Sequence, residues 1–79
     1  MTPEKKIDAH QIFFGLNREE DERSLADFLQ LFSEHRLTSV LIPRMTDVEI
    51  SKTVEILTTI LRNHLSEKEY HALFLGQPR

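Results

Sequence analysis

Seventy-nine residues without a cysteine make one small domain, spanning 1–79, with no disulfide or thiolate metal site to brace it. Ten basic against thirteen acidic residues leave a formal charge of −3. That balance disfavours a protein that must neutralise several phosphates, and it offers no polybasic anchor for a membrane surface. With 39% hydrophobic residues and five phenylalanines the chain is too apolar to be disordered, and a core of about two helical layers is feasible.

The N-terminus opens on a helix-start signal. Thr2 suits an N-cap, Pro3 the first helical position and Glu4 the first turn. Ile7, Ala9, Ile12, Phe13 and Leu16 recur at helical spacing, and Gly15 suits a left-handed closing turn, so a helix is expected to run to about Leu16. The run QIFFGL reads equally well as a strand. Asn17 with Glu20 resembles a capping box, and the acids that follow complement a helix dipole. Leu25, Phe28, Leu29 and Phe32 then form an apolar stripe, which predicts an amphipathic helix in the unit 17–36.

The stretch LTSVLIPRM interrupts this pattern. Val40 and Ile42 are β-branched and Pro43 biases Ile42 away from the helical region, which predicts an extended connector near 38–45. Thr46 and Glu49 make a second capping-box pattern, followed by a long helix to about His64. Its face is wide, with Ile50, Val54, Leu57 and Leu61 in one stripe and Ile56 and Ile60 in another. A helix of that kind touches more than one neighbour or serves a dimer. Ser66 with Glu69 starts a final short helix, stopped by Gly76 and Pro78. The expected fold class is mainly α, a small bundle of three to four helices. The alternative is a small α+β fold with short strands near 10–16 and 38–43, and the helical pattern is too generic to point to a particular family.

Catalytic signatures are missing. There is no cysteine nucleophile, no G-x-S-x-G elbow, and too few glycines for a phosphate-cradling loop. His64 and His71 stand seven residues apart around an acidic pair. An N-cap at Ser66 would break the helix between them, so they read as the join between two helices and not as metal ligands. His10 and His35 are isolated. A pocket of the roughly 300 Å³ that a ligand usually needs is difficult to carve from so small a core. No catalytic, cofactor-binding or metal site is therefore expected, and the chain reads as no enzyme.

A basic face of Arg36, Arg44, Lys52 and Arg62 would be needed for a DNA-associated regulator, and the final helix offers only Lys68 as a base reader, so nucleic acid is an unfavoured partner. The acidic run 19–22 reads as a solvated helix start, with docking of a basic partner as the sharper alternative. No apolar run approaches the roughly 20 residues of a membrane span, and MTPEKKID lacks a signal-peptide core, so a cytoplasmic location is expected.

What remains is apolar surplus. Phe13, Phe14, Ile56, Ile60, Phe74 and Leu75 exceed what single stripes on a few short helices need, and they form the candidate partner interface. The function expected from this is a non-catalytic protein–protein interaction or regulatory module acting as a homodimer or homo-oligomer. A helper subunit of a larger enzyme or secretion complex is the alternative.

Overall fold

In a computed structural model of the chain, residues 7–76 are described. The start signal at Thr2, Pro3 and Glu4 and the stop at Pro78 lie outside them. The fold is mainly α, as the periodicity predicts, and no strand occurs among the described residues. The chain divides into two compact units, Met1–Arg44 and Met45–Arg79.

In the first unit, the helix expected up to Leu16 is reduced to one 3-10 turn, Ala9–Gln11. Asp8 holds that turn by accepting the His10 N–H at 2.9 Å, and the backbone is already extended at Ile12. Two side chains further along explain the correction. Ser24 Oγ accepts the Phe13 N–H at 3.1 Å and Asp21 Oδ1 accepts the Gly15 N–H at 2.8 Å. Amides that would have closed helical turns are thus satisfied by the next helix. Neither is the segment a strand, because these partners are side chains and not a neighbouring backbone. Gly15 has φ +93°, a conformation open to glycine and strained for other residues.

Helix α1 (Arg18–Phe32) begins at Asn17, whose side chain accepts the Glu20 N–H at 2.8 Å. The reciprocal half of the capping box is missing, since the Glu20 carboxylate accepts from Arg23 instead. Within the unit 17–36 the helix takes in the charged beginning and stops at Ser33. There the hydroxyl bonds back to the Gln30 carbonyl at 3.2 Å, offering the backbone an alternative to the next helical bond.

Helix α2 (His35–Leu41) and a 3-10 turn, Ile42–Arg44, replace the extended connector expected at 38–45. The strand alternative at 38–43 fails with it. β-Branching lowers helix propensity only slightly, and with no partner strand at hand the local ladder satisfies the backbone best. Thr38 adjusts by donating its hydroxyl to the Glu34 carbonyl at 3.2 Å. Pro43 does not end the helix in an extended residue: Ile42 stays helical at φ −60°, ψ −43°, and the ladder tightens to 3-10 where the proline N–H is missing.

The second unit is built on helix α3 (Asp47–His64), 18 residues long. Both halves of its capping box form: Thr46 Oγ1 accepts the Glu49 N–H at 3.1 Å, and Glu49 Oε1 accepts the Thr46 N–H at 2.9 Å. Leu65 and Ser66 are extended, and a second complete box, Ser66 with Glu69, starts α4 (Glu67–Glu69). This short helix runs directly into a π-helical turn, Tyr70–Phe74, closed by the Leu75 N–H donating to the Tyr70 carbonyl at 3.2 Å. Gly76, at φ +69°, supplies the left-handed residue expected after the last turn.

Among the described residues no hydrophobic side chain is buried, and the one buried side chain is Ser24. Each unit by itself leaves its apolar faces in reach of solvent.

Candidate functional site

All six candidate interface residues are exposed, from 42% for Leu75 to 61% for Phe74. The structure sorts them between the two units and adds companions that sequence reasoning had assigned to a core.

In the first unit the extended segment runs back along α1, tethered at Phe13 and Gly15. This lays Phe14 edge-on against Phe28 (centroids 6.4 Å apart, planes at 81°), and Phe28 lies 6.0 Å from Phe32. With Ala9, Ile12, Leu31 and Leu37 these rings line an open cleft of about 420 Å³. Its volume exceeds what the sequence led us to expect, yet the wall carries no ionisable group, hydroxyl or amide side chain. Its lining side chains are all apolar. Phe13, the neighbour of Phe14, points into a different environment, since consecutive residues of an extended segment alternate sides.

In the second unit Ile56 and Ile60 lie one turn apart on α3, at 58% and 51% exposure, beside Ile50, Val54 and Leu57, which are also exposed. The opposite edge of the helix turns towards the C-terminal segment: Thr58, Leu61, Arg62, Leu65, Ser66, Glu67 and Tyr70 line a groove of about 390 Å³. That groove carries polar groups, but the Ser66 hydroxyl is committed to the Glu69 N–H at 3.1 Å. Phe74 stacks on Tyr70 with centroids 5.4 Å apart and planes 19° from parallel. The stacking leaves most of its outer face free.

The remaining candidates resolve in simple ways. His64 ends α3 and His71 sits in the π turn beside Tyr70, with the extended Leu65–Ser66 pair between them, so the two do not share one helix face. Among the described residues no group of three or more His, Cys, Asp or Glu is placed to hold a metal ion. Three of the four acids in the run 19–22 are engaged locally. Arg18 pairs with Glu22 at 2.6 Å, Arg23 with Glu20 and, at 3.8 Å, with Asp27, while Asp21 holds the Gly15 amide. Hydrogen bonding to Glu20, reinforced by its charge, raises the Arg23 guanidinium above its ordinary pKa. Exposed pairs of this kind add little stability. On α3, Lys52 and Arg62 are separated by Glu55, which shares a shallow groove with Arg62. No described helix is long and apolar enough to cross a membrane.

The signal for the added companions was present in the sequence: Phe28 and Phe32 stand one turn apart on a helix already known to be amphipathic. What the sequence did not reveal is that the segment before α1 would bring Phe14 onto them. Comparison of the chain with protein-family models, curated proteins and solved structures finds no match.

Proposed function

We propose that this chain is a small, non-catalytic protein–protein interaction module that acts as a homo-oligomer in the cytoplasm. The observation that carries the reading is the absence of any buried hydrophobic side chain among the described residues, set against apolar faces in both units. Taking a half-exposed Phe, Ile or Leu into an interface contributes about 1 kcal/mol, half of its full burial. Covering the six candidates would contribute about 6 kcal/mol per copy, or about 12 kcal/mol across a pair. A Kd of 1 µM corresponds to about 8 kcal/mol, and part of the gain is lost to the entropy of association, so micromolar concentrations are the scale to examine. A cysteine-free chain suits a reducing compartment.

Sedimentation velocity on the full chain from about 1 to 500 µM, bracketing that Kd, tests the reading. A concentration-dependent rise from monomer to dimer or larger species is expected. A strict monomer that binds no apolar dye would overturn it. A monomer that binds such a dye would instead favour a helper subunit whose apolar faces await a different protein. The DNA-associated reading loses support from the Glu55 carboxylate between Lys52 and Arg62 and from the net charge of −3. A mobility shift at low salt, where phosphate contacts are strongest, would restore it.

A further inference from the structure

The extended segment before α1 is attached in a way that a second copy can reproduce. Its Phe13 N–H donates to Ser24 Oγ, its Gly15 N–H donates to Asp21 Oδ1, and its Phe14 ring meets the Phe28 ring edge-on. Asp21, Ser24 and Phe28 stand at i, i+3 and i+7 on α1, so they form one stripe. The amides of alternate residues in an extended chain point to the same side, which matches donors at Phe13 and Gly15 with a ring between them. The chain bends at Gly15 and Leu16 and is extended again at Asn17 (φ −165°, ψ 170°). The reversal passes through Gly15, at φ +93°. The Phe13 and Gly15 amides and the Phe14 ring all precede that torsion, while their partners on α1 all lie beyond Asn17. Returning Gly15 to an ordinary extended conformation therefore swings the segment off its own α1 and leaves both halves of the joint intact. A second copy's segment brings the same amides and the same ring.

We propose that two copies of the chain exchange the segment ending at Gly15, each laying it on the α1 of the other, with Gly15 as the hinge. This inference rests on the self-association reading and specifies how the first unit takes part in it. An exchange of identical segments is self-complementary and closes at two chains. It forfeits the nearness of the chain's own segment, an effective concentration of about millimolar for a short linker. It gains cover for the opened hinges, which cross beside each other and carry Leu16, 66% exposed in the single chain. Half-burying two leucines is worth about ten- to a hundred-fold, which places exchange at about 10–100 µM.

Gly15→Ala tests the hinge. A side chain at φ +93° strains the closed form, whereas the opened hinge leaves alanine an ordinary conformation, and a pair is relieved twice. The dimer Kd by sedimentation is therefore expected to fall at least about twenty-fold, where a fold that was merely weakened would lose affinity. D-Alanine at the same position, which suits a positive φ, is expected to leave the Kd near that of the natural chain. A Kd unchanged or raised by Gly15→Ala would overturn the proposal. The natural chain supplies a second arm that needs no variant. A dimer assembled from equal parts of isotope-labelled and unlabelled chains is expected to show an isotope-filtered nuclear Overhauser contact between Phe14 of one copy and Phe28 of the other. That contact confined within single chains, in a sample that sediments as a dimer, would overturn the exchange and leave the broader reading standing. Monomers at every concentration, for the natural chain and for Gly15→Ala alike, would remove both.

Discussion

Ser24 is the one buried side chain among the described residues, and replacing it separates two effects of opposite sign. Its Oγ accepts the Phe13 N–H at 3.1 Å, which ties the extended segment to α1. Ser24→Ala removes that acceptor and leaves the amide without a partner. A buried donor stranded in this way costs about 1–3 kcal/mol. The bond is only part-buried, so the lower end, about 1 kcal/mol, applies. Alanine also favours the interior of α1 over serine by about 0.5 kcal/mol, so the helix itself gains while the tether loosens. Global stability should therefore change by less than about 1 kcal/mol, which makes it a poor readout. Amide hydrogen exchange read residue by residue is the right assay, because it reports local opening. Phe13 is expected to exchange about five-fold faster, the equivalent of about 1 kcal/mol. The Gly15 amide, held by Asp21 at 2.8 Å, should change less, and the interior of α1 should be unchanged or slower. Unaltered Phe13 exchange in a chain of normal helicity would refute the claim that this serine positions the segment.

Thr46→Ala removes one side of the α3 capping box and should cost about 1 kcal/mol, seen as faster exchange in the first turn of α3. Gly15→Ala should cost about 1–2 kcal/mol, because φ is +93° and the added Cβ meets no atom within 4 Å, so the cost is conformational and not steric. D-Alanine at the same position, introduced by chemical synthesis, should be tolerated, and equal destabilisation by both enantiomers would refute the explanation. Ile60→Ala should weaken self-association. The lost group is worth about 2.4 kcal/mol at full burial and about half that from a side chain 51% exposed, so two copies lose about 2.5 kcal/mol, near seventy-fold in Kd by sedimentation. A change of less than about three-fold would place Ile60 outside the interface.

Local signals were legible in the sequence wherever the physics is local. Thr46 with Glu49 and Ser66 with Glu69 form the boxes their spacing predicts, and α3 ends at His64 as expected. The segment before α1 was misread because its structure is decided by Ser24 and Asp21, which lie eleven and six residues beyond the amides they accept from. No periodicity within 7–16 carries that information. The connector was misread for the converse reason. Val40 and Ile42 disfavour helix only mildly, the ladder from Glu34 outweighs them, and Pro43 falls where that ladder has already given way to a 3-10 turn. The surplus of apolar side chains was visible in the composition, and their exposure follows from it. Which of them cluster was not visible, because Phe14 reaches Phe28 only through the tethered fold-back.

The lack of any buried hydrophobic side chain among the described residues has a thermodynamic signature. The heat-capacity change of unfolding scales with the apolar area that water gains, so a lone chain that hides so little of it should melt gradually, over a broad range and with little curvature. If assembly supplies the missing interior, the transition should sharpen and its midpoint climb as the chain is concentrated, since whatever binds only the folded form shifts the melting curve by mass action. For this polypeptide, sharp cooperative melting would then belong to the assembly and not to the single chain.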